Sequence, residues 1–390
     1  MQDAPDADAQ AGRPLRIVHV LRAPVGGLFR HVLDLTGEQI SRGHKVGLIA
    51  DSLTGGERGE ALLAALQPKL ELGLTRIPIR RLPHPSDLSA LLATSRRLAE
   101  LEPDVVHGHG SKGGVLARLA FPWRFGAGPI RAYTPHGGSL NYFPGTPSHR
   151  FFMALEGVLR WRTDLLLFES GYIAGRFESL VGAPKKLARI VRNGVGPREF
   201  EPVAVDPQAV DLLYVGEFRL AKGLDTLIEA LTLLTRSGRP LRLMLVGDGP
   251  EKEMLLALSE RLGVARQLSV HAPMAVREAF ALGRVMVVPS RAESLPYIVL
   301  EAAGAHKPMV ATNVGGMGEI FGPYRDRLIP CDDPRALAEA IADRLDEDPR
   351  ASAAKTNELA DYVGAHFSLS SMTNGVLAAY REALARRGRP

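Results

Sequence analysis

Short apolar runs rich in β-branched residues recur along the chain, with amphipathic stretches between them. The first, LRIVHVL at residues 15–21, is followed by Pro24, Gly26 and Gly27, then by a helical pattern to about Ile40 that ends near Gly43. Further apolar runs lie at 46–50, 104–107, 130–134, 165–168 and 190–191. A helix is predicted over 86–101, with Ser86 placed to cap it. The pattern restarts after Asn193-Gly194 and the loop-like EPVAVDP at 201–207, with strands predicted at 212–215, 241–246, 268–271, 285–289 and 309–312. Helices fall near 224–236, 252–262, 296–306 and 334–345, and a last amphipathic helix near 371–384. Strands alternating with helices imply right-handed crossovers and parallel sheets covered on both faces. The restart indicates two doubly wound α/β domains. Such folds bind ligands beyond the carboxyl ends of their strands and in interdomain clefts.

Composition narrows the class. The 390 residues are 45% hydrophobic and 23% charged, which excludes a mostly disordered chain and suits two or three domains. No apolar run approaches the ~18 residues of a spanning helix. Asp3, Asp6 and Asp8 stand in an N-terminal stretch without an apolar core, which does not read as a secretory signal. The single Cys331 excludes an internal disulfide and fits a reducing compartment, so a soluble cytoplasmic protein is expected. The formal charge is +5, and Arg381, Arg386, Arg387 and Arg389 supply much of the excess. No nucleic-acid module or aromatic–basic interleaving accompanies it, so no nucleic acid partner is expected.

Candidate chemistry concentrates in the loops after strands. Glu293 and Glu301 stand eight positions apart in ESLPYIVLE, where Pro296 suits a first helical turn. Eight helical residues span ~12 Å, too far for a close acid–base pair. The two carboxylates could hold the ends of an extended ligand whose anionic middle meets the helix N-terminus, or simply be solvated. Arg219 and Lys222 in GEFRLAKGLD follow a strand with glycines on either side, a natural diphosphate clamp. Gly26-Gly27 is not a GxGxxG fingerprint, yet it would let a phosphate or sugar approach the backbone. His107 and His109 end one strand and His136 another; their separation matches no standard metal-ligand spacing, and no metal site is expected. His136 is the candidate for a polar ligand contact, and His107 reads as structural. There is no GxSxG elbow and no Walker A motif.

In combination, Gly26-Gly27, His136 in TPHGG, Asn193-Gly194-Val195, Lys222-Gly223, Gly247-Asp248-Gly249 and the E-x7-E of ESLPYIVLE resemble the family-four retaining glycosyltransferases. The resemblance covers nearly the whole chain. It implies two Rossmann-like domains facing across a cleft, the GT-B fold: after a disordered tail at 1–13, an acceptor-binding domain at 14–198 and a nucleotide-sugar-binding domain at 199–365. A C-terminal helix and basic tail at 366–390 would pack back on the N-terminal domain. By position, Glu301 should hold the ribose hydroxyls, Glu293 the donor sugar near the reacting centre, and Lys222 a phosphate. Many members carry the clamp arginine directly after the strand-end glycine, where this chain has Glu217; Arg219 would take over the role. His136 should contact the donor sugar, Gly26-Gly27 the diphosphate and acceptor, and Gly315-Gly316 the cleft, with Ser294 and Leu295 counted among the donor-binding residues. No cofactor or metal is expected, and a front-face mechanism follows from retention without a nucleophile.

The partners so implied are a nucleotide-sugar donor and a saccharide or polyprenyl-linked acceptor. Base contacts are expected from the backbone of 271–274. The alternatives are a sugar-nucleotide epimerase of the same architecture and a non-catalytic binder. PSHRFFMALEGVLRWR at 147–162 sets aromatic and aliphatic residues beside arginines, the composition of an interfacial helix. An anionic membrane surface is therefore a candidate partner, with the protein peripheral on the inner face of the plasma membrane.

Overall fold

The computed structural model describes residues 13–120, 128–141 and 145–388. The tail expected at 1–13 lies, except for Arg13, outside the described residues. The chain begins with β1 (Arg16–Leu21), α1 (Gly26–Ser41), β2 (Lys45–Asp51), α2 (Gly56–Leu66), β3 (Leu74–Ile77) and α3 (Asp87–Leu101). It continues through β4 (Val105–His109), α4 (Gly110–Leu119), β5 (Ile130–Thr134), α5 (Pro147–Leu159), β6 (Leu165–Phe168), α6 (Gly171–Val181) and β7 (Leu187–Ile190). These seven strands form one parallel sheet in the order β3-β2-β1-β4-β5-β6-β7. The central β1 is buried at every position after Arg16, as a strand covered on both faces must be.

The second series is β8 (Val210–Val215), α7 (Leu224–Arg236), β9 (Leu243–Val246), α8 (Lys252–Leu262), β10 (Leu268–His271), α9 (Val276–Ala281) and β11 (Gly283–Val288). It closes with α10 (Tyr297–Gly304), β12 (Met309–Ala311), α11 (Met317–Phe321), α12 (Pro334–Asp346), α13 (Pro349–His366) and α14 (Leu369–Arg386). Its five strands are parallel in the order β10-β9-β8-β11-β12. α7 shows why these segments are helical. Leu224, Leu227, Ile228, Leu231 and Leu234 recur at helical spacing and are all buried in one cluster with α12, each worth ~1.5–3 kcal/mol of burial. The two doubly wound α/β sheets are the expected fold class.

Local expectations differ from the structure where the burial signal is weak. β3 lies outside the predicted strands, because this edge strand is only half-buried and carries no apolar run. β7 lies at Leu187–Ile190, ahead of the expected 190–191, with its last two residues exposed. Ser86 stands at the cap position of α3 but makes no cap bond; its hydroxyl meets His84 Nδ1 at 2.8 Å.

The chain passes between the sheets twice, and the two passages are tied together. Val195 N donates to Phe367 O and Leu369 N to Val195 O, both at 2.9 Å. A side chain at Gly194 would meet Ser368 O at 2.3 Å, so only glycine allows this approach. α14 lies on the N-terminal sheet, where Met372, Val376, Leu377, Tyr380 and Leu384 share a core with Ile17, Leu35, Val105 and Leu165. Arg387 then pairs with Asp164, so part of the basic tail is structural. In both sheets the strand order reverses at a switch point, β1/β4 and β8/β11, and the loops beyond those strands build the site.

Candidate active site

Beyond β8, Lys222 ends a single turn of 3-10 helix. Gly223 follows with φ +64°, and a Cβ there would lie 2.1 Å from Pro289 O, so glycine lets the turn press on the end of β11. Lys222 Nζ consequently donates to Glu293 Oε1 at 2.6 Å, and Ser290 Oγ donates to the same oxygen at 2.7 Å. Glu293 is buried, and a buried carboxylate is tolerable only with such partners. Gly315-Gly316 supports this loop from behind. Cβ atoms there would fall 1.8 Å from Glu293 O and 2.1 Å from Ser294 O, and Gly316 N donates to Ser294 O. Leu295 sits in the core, and its carbonyl accepts Asn193 Nδ2 at 2.9 Å. Arg219 is not gathered in: its guanidinium pairs with Glu217 at 2.7 Å and is partly exposed.

α10 starts at Tyr297 with Pro296 before it, which places Glu301 in the second turn. Arg30 of α1 reaches across the cleft and gives Nη1 to Glu301 Oε1 at 3.1 Å and Nη2 to Glu199 Oε1 at 2.5 Å, while also pairing with Asp34. Burial pushes the Glu301 carboxyl up to about 7; Glu199 and Asp34 add to the rise, and Arg30 opposes it. A Cβ on Gly27 would sit 3.7 Å from the Tyr297 ring, so the N-termini of α1 and α10 meet. Gly26, at φ +70°, faces open space. Two helix N-termini facing one cleft make a site for negative charge. Further along the cleft, the Met274 carbonyl of the 271–274 loop accepts Arg58 Nη1 at 3.3 Å.

On the N-terminal side, parallel register brings together histidines whose sequence separation matches no standard ligand spacing. His19 of β1 is the cross-strand partner of His107 of β4, and Leu21 of His109. His109 Nδ1 is 3.1 Å from His136 Nε2, and His19 Nδ1 is 2.9 Å from His109 Nε2. His31 of α1 packs edge-on to His136 at 4.7 Å between ring centroids. Its Nδ1 meets Asn193 Oδ1 at 3.1 Å and Tyr297 OH at 3.0 Å, which joins both domains and the crossing. Burial depresses all five rings, His19 to about 4 and His31 to about 3, so they are neutral at physiological pH. Two triplets, His19–His107–His109 and His31–His109–His136, bring ligand atoms within 4.8 Å of one another. In the first triplet every ring nitrogen is already hydrogen-bonded, so a metal would have to displace those bonds.

His136 itself has φ +51°, a strained left-handed conformation for a residue with a side chain. Nearby in the chain, buried Arg118 pairs with Glu156 at 2.7 Å, and Tyr133 OH and Ser139 Oγ donate to the same carboxylate. Glu169, buried after β6, is pushed up to about 7 by desolvation against the pull of the His136 and Gly137 N–H groups. Arg30, His31, His19, Gln39, Glu199 and Glu169 belong to the site without any motif that marks them. The sequence trace of His19, His31 and Gln39 is a polar residue interrupting the apolar stripe of β1 or α1, and Glu199 and Glu169, outside both elements, leave none.

α5 turns His149, Met153, Glu156 and Leu159 inward and leaves Phe151, Val158 and the following Trp161 more than half exposed. Among the described residues, no helix is long and apolar enough to cross a membrane.

Residues 25–199 match the family described as Glycosyltransferase Family 4, and residues 197–360 match Glycosyl transferases group 1. EpsD of Bacillus subtilis (strain 168), named as a glycosyltransferase, is 31% identical over 284 residues, covering 68% of this chain and 74% of EpsD. The sucrose-phosphate synthase of Thermosynechococcus elongatus has the same fold, with a TM-score of 0.79 at 18% identity over 96% of this chain and 100% of that one. Anabaena HepE, solved with UDP and glucose, superposes with a TM-score of 0.76 at 18% identity over 94% of this chain and 100% of its own.

Proposed function

Because the chain belongs to glycosyltransferase family 4, we propose that it moves a hexosyl group, with retention, from a nucleotide-sugar donor to a saccharide or lipid-linked acceptor in polysaccharide or glycoconjugate synthesis. The observation that carries this reading is the meeting of the α1 and α10 N-termini between two buried carboxylates, each matched by a cation: Glu293 by Lys222 and Glu301 by Arg30. In this reading Glu301 accepts the ribose hydroxyls and Glu293 contacts the donor sugar. Lys222 and the α10 N-terminus stabilise the charge that develops on the diphosphate. Arg219 joins them once it leaves Glu217. His136 contacts the donor sugar, Gly26-Gly27 admits diphosphate and acceptor, and the 293–295 backbone is held in place by Gly315, Gly316 and Asn193.

The sugar C1–O(phosphate) bond breaks as the acceptor oxygen bonds C1 on the same face. The acceptor proton passes to the leaving phosphate oxygen. Cationic side chains and a helix N-terminus supply the electrostatic stabilisation, so the reaction proceeds without a metal. HepE was solved with UDP and with UDP-glucose, which makes uridine donors the first to try. The family match lends no support to an epimerase or a pure binder.

The exposed Phe151, Val158 and Trp161 beside Arg150 support a membrane-associated acceptor and peripheral attachment at an anionic inner leaflet. A thermal-shift screen with UDP, GDP and ADP, then with their sugars, identifies the donor. Product NMR then reads the anomeric configuration: an inverted product refutes retention, and no stabilisation by any nucleotide refutes the donor site.

A further inference from the structure

Three hydrogen bonds run in series through the N-terminal domain. Gln39 Oε1 meets His19 Nε2 at 2.8 Å, His19 Nδ1 meets His109 Nε2 at 2.9 Å, and His109 Nδ1 meets His136 Nε2 at 3.1 Å. Gln39, His19 and His109 are each at most 1% exposed, so water does not complete these bonds. A neutral imidazole carries one N–H and one lone pair. The Gln39 carbonyl can only accept, so His19 carries its proton on Nε2 and offers the Nδ1 lone pair. His109 must then donate from Nε2 and accept at Nδ1, and His136 must donate from Nε2. One amide oxygen thus sets three tautomers, and the aligned bonds reinforce one another.

His107 closes the cluster on its other side: its Nδ1 lies 2.7 Å from the Tyr380 hydroxyl of α14 and its Nε2 2.8 Å from Thr134 Oγ1, so it takes no part in the series.

We propose that Gln39 is a positioning residue that, through His19 and His109, holds His136 in its Nε2–H form, so that His136 meets the donor sugar as a hydrogen-bond acceptor at Nδ1. The sugar contact rests on the function proposed above; the tautomer does not. The chemical consequence is selectivity. A donor presenting a hydroxyl to His136 satisfies the lone pair, whereas a deoxyfluoro analogue at that position cannot donate and leaves it unpaired.

The test begins with the unaltered protein carrying ¹⁵N-histidine. Long-range ¹H–¹⁵N spectra, with His136 assigned by loss of its signals in His136→Gln, should show a protonated Nε2 and an unprotonated Nδ1. The His136 signal of a protonated Nδ1 in the unaltered protein overturns the relay without recourse to any further variant. Gln39→Met keeps the volume and removes the acceptor. It should mix the His136 tautomers and reduce the preference for the hydroxyl donor over its deoxyfluoro analogue by about tenfold. Unchanged His136 signals and unchanged preference in this variant also overturn it. A correct tautomer whose Nδ1 does not respond to saturating donor overturns the sugar contact instead, and with it the role assigned to His136.

Discussion

Replacing Arg30 by glutamine should turn nucleotide binding into an alkaline process. Arg30 is the cation opposed to Glu301, at 3.1 Å, while Glu199 and Asp34 lie close enough to raise the same carboxyl. With Arg30 present, Glu301 titrates at about 7. An opposite charge this close lowers a carboxyl by about 1–3 units, so its removal should move the midpoint to about 8–10. The sign follows from the ligand. Ionised Glu301 accepts two ribose hydroxyls, whereas protonated Glu301 must donate one of its bonds, so affinity rises with pH through the midpoint. At pH 7.5 about three-quarters of Glu301 is ionised in the unaltered protein, against about 3% for a midpoint near 9. That is a loss of about 25-fold, or ~2 kcal/mol. Titration calorimetry with the preferred nucleotide from pH 6 to 10 measures it. Arg30→Gln should recover most of its affinity at the alkaline end, and Arg30→Gln combined with Glu301→Gln should bind weakly at every pH. Parallel pH profiles for Arg30→Gln and the unaltered protein would refute the reasoning, because the opposing cation would then not control the carboxyl.

Lys222→Ala should cut kcat by about 10²–10³, since it removes one preorganised charge from the developing diphosphate, and should also lower the melting temperature, because it strips buried Glu293 of its cation; normal turnover in the folded variant would remove Lys222 from the diphosphate site. Arg219→Ala should follow it only if Arg219 leaves Glu217 when donor binds, and normal turnover by this variant assigns the clamp to Lys222 alone. Activity should persist in EDTA, and complete loss restored by Mn²⁺ or Mg²⁺ would overturn the metal-free reading. In flotation at low salt the protein should bind phosphatidylglycerol vesicles more than neutral ones, and Trp161→Ser with Phe151→Ser should weaken that binding; equal binding to both vesicle types favours a soluble acceptor.

The sequence by itself determined the alternation of strands and helices, the restart after Asn193-Gly194, and the position of Glu301 one turn inside a helix that begins just after Pro296. Those features are local: an apolar run buried on both faces, a glycine where the chain turns, and a proline at a helix start each leave their mark on neighbouring residues. Only the tertiary structure decided which polar side chains meet. His19 and His107 are 88 residues apart in the chain yet face each other because two parallel strands share one register. Arg30 lies 271 residues from Glu301, and no periodicity in α1 distinguishes it from a solvated arginine. Gln39 looks like an ordinary polar position until β1 places His19 beneath it. Arg219, expected in the diphosphate clamp from its place after a strand, is paired with Glu217 two residues before it, a partner that the strand–loop pattern does not reveal. Parallel sheets bury long-range polar partners at the ends of their strands, where hydrophobic periodicity, the main signal in a sequence, is interrupted.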